Sequence, residues 1–193
     1  MLRDARVNGL PVQVLELRSE LPTEELLAYF KRDWRRYSSV APLETEQQHW
    51  RKLTLQQGPV QVVVQIERDG RSGGSRALLS QMNFRDVQRD YIPRDLPSLA
   101  PLHVTQVSDT RDGPKRSRLV QMGGDASFEI TQQRLRQYWS RAGWRAVFER
   151  SANEQRQWLA SFDRGPASVD IVLTQAGPRE PLALTINLLE VEP

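Results

Sequence analysis

Two separated stretches of the chain alternate apolar and polar residues. In "PVQVVVQIERDG" Val60, Val62, Val64 and Ile66 share one parity, and in "PASVDIVLTQAG" Ala167, Val169, Ile171 and Leu173 do the same. A period of two is the mark of a half-buried strand, because successive side chains leave opposite faces. Each run ends near a glycine, Gly70 or Gly177, and a second apolar run follows, "SRALLSQMNF" or "LALTINLLEV". The spacing predicts two hairpins, the first with the longer Gly/Ser loop. Within each closing run the favoured parity changes, from Ala77 and Leu79 to Met82 and Phe84, and from Leu184 and Ile186 to Leu189 and Val191. That change predicts a bulge in both.

Two other stretches have helical spacing. "LPTEELLAYFKRDWRR" offers Thr23 as N-cap, Glu24 and Glu25 in the first turn, and Leu26, Leu27, Phe30 and Trp34 on one face. "ITQQRLRQYWSRAGWR" offers Thr131 as cap and Leu135, Tyr138, Trp139 and Ala142 as the apolar stripe, with Gly143 as the stop before Trp144 returns to the core. The ends of the two helices read almost alike, "YFKRDWRR" and "YWSRAGWR". Strands are expected before each helix, turning at Asn8-Gly9 and at Asp112-Gly113, and after each around "HWRKLTLQ" and "QWLASFDR".

Aligning Pro59 with Pro166 fixes an offset of 107 that also superposes Gly70 on Gly177. This predicts an α+β fold of two tandem pseudo-repeats, each about ββαβββ, with an antiparallel sheet and one helix on a face. The expected organisation is a first repeat over 1–90, a linker over 91–100 carrying Pro93 and Pro97, and a second repeat over 101–193.

Composition narrows the function classes. With 38% hydrophobic residues and five tryptophans the 193-residue chain has the bulk for a packed core. No apolar run approaches the roughly 20 residues needed to span a bilayer as a helix, and the opening "MLRDARVNGLPVQV" lacks the apolar centre of a signal peptide. The expected compartment is therefore periplasmic if a leader has been removed, and cytoplasmic otherwise. There is no cysteine, which excludes disulfides, thiolate nucleophiles and Cys-containing metal sites. Lys31, Lys52 and Lys115 are the only lysines, leaving 24 arginines among 27 basic residues. The pI of 9.6 thus reflects the high pKa of arginine and a small excess of +3, not a strong cationic field.

Candidate chemistry is thin. His49 and His103 are the only histidines, far apart and in no ligand spacing. "RDGRSGGSR" lacks the Lys-Ser/Thr ending of a phosphate loop and leads into a strand, so it reads as a hairpin loop. "DTRDGPK" lacks the further acids of a calcium loop and reads as a turn. No catalytic residue, cofactor or metal is expected. The one candidate site is Arg134, Arg141 and Arg145, whose spacings of seven and four place them on one helical stripe suited to an anion or an acidic partner. Glu149 and Glu154 count against a nucleic-acid role. The aromatics Tyr29, Phe30, Trp34, Tyr138, Trp139 and Trp144 read as core, with a ligand cavity between helix and sheet as the alternative.

The order of strands, the "YWSRAGWR" helix end and the Pro-bearing linker resembles small duplicated α+β accessory proteins of Gram-negative secretion and pilus machinery. The resemblance rests on helix-packing residues and transfers no functional residue. It implies a periplasmic, non-enzymatic role in assembly or partner docking. The expected function is therefore a non-catalytic protein-interaction module. Binding of an anionic polymer or membrane surface through the arginine face is the alternative.

Overall fold

Asn8 and Gly9 both adopt positive φ, 50° and 76°, the backbone that joins two antiparallel strands in a two-residue turn. They connect β1 (Leu2–Val7) to β2 (Leu10–Ser19). The computed structural model describes residues 2–70, 73–152 and 156–191. Helix α1 (Thr23–Trp34) follows, then β3 (Leu43–Gln47), β4 (Trp50–Gln57), β5 (Val60–Arg68) and β6 (Ser75–Asn83). After a short 3₁₀ turn come β7 (His103–Asp112), β8 (Lys115–Gly124), α2 (Phe128–Arg141), β9 (Arg145–Ala152), β10 (Gln157–Arg164), β11 (Ala167–Gln175) and β12 (Leu182–Val191).

The helices end where the sequence indicates, but they begin differently. Thr23 is the first helical residue of α1, preceded by Pro22 with no side-chain cap. Its hydroxyl instead lies 3.4 Å from that of Ser75. For α2 the cap is Ser127, whose hydroxyl oxygen accepts from the Ile130 N–H at 3.3 Å, while Thr131 lies one turn inside and is buried. The C-terminus of α2 closes as expected at Gly143. Its φ is +79°, its N–H donates to the Ser140 carbonyl, and Trp144 donates to the Trp139 carbonyl. This paired pattern satisfies carbonyls that a helix end leaves open, and it turns Trp144 inward.

The tandem α+β expectation is overturned. Among the described residues twelve strands account for 54% and two helices for only 16%. The strands follow one hydrogen-bonded order, β3-β4-β5-β6-β2-β1-β7-β8-β12-β11-β10-β9, antiparallel from β3 to β2 and from β7 to β9. The fold is one large sheet, not two ββαβββ modules. Local periodicity reports which face of a strand is buried, but it carries no information on how far a sheet extends. Moreover, four strands follow each helix where three were expected. The unforeseen strands, β3 and β9, are the two ends of the order and are exposed along nearly their whole length, so neither shows the alternation that marks a half-buried strand.

The expected bulges are also corrected. β12 keeps Leu182, Leu184, Ile186 and Leu188 buried on one parity, and its registers with β11 and β8 run unbroken, as do those of β6 with β5 and β2. Register shifts occur instead between β7 and β8 at Val104/Gln106 and between β10 and β9 at Ser161/Phe162.

By its internal contacts the chain divides into two compact units, one made of Leu10–Val87 with the start of β1, the other of Arg6–Gly9 and the chain from Gln88 onward. In the first, Leu26, Leu27, Phe30 and Trp34 of α1 pack on Leu53, Leu55, Val64, Ile66 and Ala77. In the second, Phe128, Leu135 and Trp139 of α2 pack on Trp158, Phe162, Val169, Ile171, Leu173 and Ile186. Residues from the proline-bearing stretch, Leu99 and Leu102, are buried in that same core. Full burial of one such Leu or Ile side chain is worth about 1.5–3 kcal/mol, so these apolar faces, more than helix propensity, hold α1 and α2 in place.

Candidate functional site

The three candidate arginines do not share one helical stripe. Arg134 and Arg141 lie on α2, but Gly143 ends the helix and Arg145 opens β9. Arg134 donates to the Ala100 carbonyl at 3.2 Å, Arg141 is exposed, and Arg145, 82% exposed, lies 3.7 Å from the Asp163 carboxylate. Their neighbour Arg136 pairs with Glu149 of β9 and lies over the Trp158 ring at 5.4 Å. Glu154 lies outside the described residues. Spacings of seven and four align only on a continuous helix, and Gly143, which ends α2, breaks that continuity before Arg145.

Two other features of the second unit have chemical content. One is the strand β9. Among the described residues β10 is its one neighbouring strand, so its other edge is an end of the sheet order. Val147 and Phe148 on it are 57% and 52% exposed. Phe148 is opposite Ser161, and Arg150 opposite Leu159, which is itself exposed and pairs with the exposed Val172 of β11. On the sheet face turned away from α2, Phe148 thus stands at the edge strand, with the exposed pair Leu159 and Val172 further in.

The other feature is a cleft of about 80 Å³ whose walls include Leu96, Val120, Trp139, Trp144, Ile186 and Leu188. The α2 C-terminus forms one wall because the Gly143 turn stacks Trp144 edge-on against Trp139, with ring centroids 5.2 Å apart. Tyr138, also on the wall, donates its hydroxyl to the Asp95 carbonyl at 2.6 Å. Burial pushes the phenol's pKa up, the Asp95 charge adds to that, and Arg164 opposes it. Arg164 donates to the Ala142 carbonyl at 3.3 Å, one of the open carbonyls of the helix end, and stacks over Trp144 at 4.7 Å. It has no carboxylate partner among the described residues. Arg118, in contrast, is paired with both Asp109 and Asp95. The Trp139 indole Nε1–H is buried and finds no acceptor among the described residues. Leaving such a donor unsatisfied costs about 1–3 kcal/mol.

Of the aromatics noted in the sequence, Phe30, Trp34, Trp139 and Trp144 are core and Tyr29 is half exposed. In the second unit, however, the same rings also form the wall of the cleft. Arg118, Arg164, Asp95 and Glu190 were not recognisable as site residues, because they come from four distant stretches with no common spacing.

The remaining motifs behave as structural parts. His49 is exposed and lies 3.0 Å from Glu67. In the glycine-rich loop the Asp69 N–H donates to the Gly74 carbonyl, closing the hairpin, while Arg71 and Ser72 lie outside the described residues. Asp109 of the acidic turn pairs with Arg116 and Arg118. Among the described residues no three His, Asp or Glu side chains converge in a metal-binding arrangement, and no helix is long and apolar enough to cross a membrane. No protein-family model, curated protein or solved structure matches the chain.

Proposed function

We propose that the chain is a non-catalytic interaction module that binds an extended segment of a partner protein by adding it as a strand at β9. The observation that carries this reading is the open edge of β9 with Val147 and Phe148 exposed beside it. Backbone hydrogen bonds along an edge supply affinity, and alternate side chains supply selectivity. Arg145 and Arg150 flank the apolar pair, which suits a partner segment with an apolar centre and acidic ends. The register shift opposite Phe162 and these same charges are devices that discourage indiscriminate edge pairing, which fits a selective contact. Placing the partner among assembly components of an envelope secretion or pilus machine belongs to the same reading and rests on the resemblance alone.

The test is selection of binders from a library of short extended peptides, followed by NMR mapping. Backbone amides of residues 145–152 are expected to shift on titration. Phe148→Lys and Val147→Lys are each expected to weaken binding by about tenfold, one charge-for-apolar exchange at a small interface being worth roughly 1.4 kcal/mol. Peptides whose binding maps elsewhere, or survives both substitutions, would refute the edge reading.

The arginine face, the alternative reading, gains no support from the geometry: its three members are split between a helix and a strand, and two of them already contact groups of this chain.

A further inference from the structure

We propose that the face of β2 beside α1 is a docking site for an extended segment of a partner protein carrying spaced leucines and a basic residue. The argument begins with a contrast between two runs of the strand order, β3-β4-β5-β6-β2-β1 and β9-β10-β11-β12-β8-β7, in which β2 and β8 hold the same place. Leu15 and Leu17 of β2 pair with Leu79 and Ala77 of β6, and Val120 and Met122 of β8 pair with Ile186 and Leu184 of β12. Cross-strand partners share a face. Ala77 is packed in the core under α1 and Leu184 in the core under α2, so both pairs stand on the helix side of the sheet. Yet Val120 and Met122 are 1% and 7% exposed, whereas Leu15 and Leu17 are 48% and 37% exposed.

The second unit shows what such a face accepts. There the proline-bearing stretch runs along β8, from Asp95, which pairs with Arg118, to Leu102, which lies against Gly124. Its Leu99 and Leu102 are buried in the core and Leu96 packs on it. Helix α2 holds the stretch by its backbone, Arg134 donating to the Ala100 carbonyl and Tyr138 to that of Asp95. The helices correspond through their ion pairs to the end strands, Lys31 with Glu44 and Arg136 with Glu149. Tyr29 and Asp33 of α1 therefore hold the places of Arg134 and Tyr138, and Gln13, two residues before Leu15, holds the place of Arg118. The first unit thus offers the Asp33 carboxylate, 3.6 Å from Arg36 at the surface, and no cation where the second unit receives Asp95. A leucine-bearing segment fits this face best with a base at that position, which counts against the chain's own stretch and hence against a second copy as the occupant.

The probe is an end-blocked peptide of residues 93–103 with Asp95→Lys, titrated into the isotope-labelled full chain. Backbone amides of residues 13–17 and 29–33 are expected to shift saturably, and a peptide with Leu96, Leu99 and Leu102 replaced by serine is expected to leave them unmoved. The peptide that keeps Asp95 is expected to bind about threefold more weakly, the scale of one exposed charge pair, and Asp33→Lys is expected to reverse that order. Leu15→Lys, a substitution at an exposed position, is expected to weaken binding by about tenfold. Shifts confined to other residues, equal binding of the serine peptide, or an unchanged charge preference in Asp33→Lys would each overturn the assignment. A dimer in sedimentation that Leu15→Lys dissociates would overturn it as well, because a second copy would then occupy the face.

Discussion

A β-carbon at Gly9 would lie 2.1 Å from the Gln88 carbonyl oxygen, in a backbone with φ of +76°. The two residues are also joined by the Gln88 N–H donating to the Gly9 carbonyl at 3.0 Å. Neighbouring Asn8 exchanges two bonds with Val107, its side-chain oxygen accepting from the Val107 N–H and its own N–H donating to the Val107 carbonyl, both at 2.8 Å. The β1–β2 turn is therefore a packed joint in the second unit as well as a loop. Gly9→Ala combines left-handed strain of about 1–2 kcal/mol with a backbone collision, so it is expected to destabilise the protein by about 2 kcal/mol or more. Gly58→Ala is the control, since it shares positive φ, +55°, but meets nothing within 4 Å. Urea denaturation of both variants separates strain from collision; equal losses would show that the close approach contributes nothing.

At the scale of elements, α1 is tied to the exposed strand β3 by charge. Glu44 of β3 accepts from Lys31 of α1 and from Arg51 of β4, and Arg51 also reaches Glu24 of α1 at 2.6 Å. Hydrogen bonding from Lys31, then from Arg51, holds the Glu44 carboxyl below the ordinary glutamate range against an opposing effect of burial. A carboxylate whose pKa is depressed by folding stabilises the folded state above its unfolded pKa, about 4.3 for Glu, and loses that contribution as pH falls through the folded value. Glu44→Gln is therefore expected to cost about 0.5–1 kcal/mol at pH 7, with the gap to the parent closing as the pH is lowered below about 4. A gap that stays constant across that range in denaturation midpoints would remove Glu44 from the linkage. This network also shows why part of the fold was hidden. The buried faces of α1, α2, β4, β5, β10 and β11 were legible because their apolar residues recur at the period of the element. β3 and β9 are held at the rim by ion pairs and backbone bonds, and neither leaves a periodic trace. The cleft was half legible. Tyr138, Trp139 and Trp144 stood out as a group, but Arg164 enters from β10 and Asp95 from the proline-bearing stretch, and only the folded chain joins them.

For the whole molecule, burial is unevenly distributed. Among the described residues the second unit buries nineteen residues in one cluster and the first buries nine. Comparable strands exist in both: β5 is flanked by β4 and β6, and β12 by β11 and β8, so position within the sheet does not distinguish them. What differs is the apolar contact behind each, and local opening follows that contact. Amides of β11 and β12 are thus expected to exchange with solvent at least about tenfold more slowly than those of β5 and β6, a modest ratio equivalent to about 1.4 kcal/mol and well within what a few additional buried side chains supply. Hydrogen exchange read by mass spectrometry at neutral pH measures this directly. Equal protection of all four strands would mean that the sheet opens only as a whole, so that the larger core of the second unit protects the first as fully as itself. In that case the stability at β9, where partner binding is proposed, would be set by the entire chain.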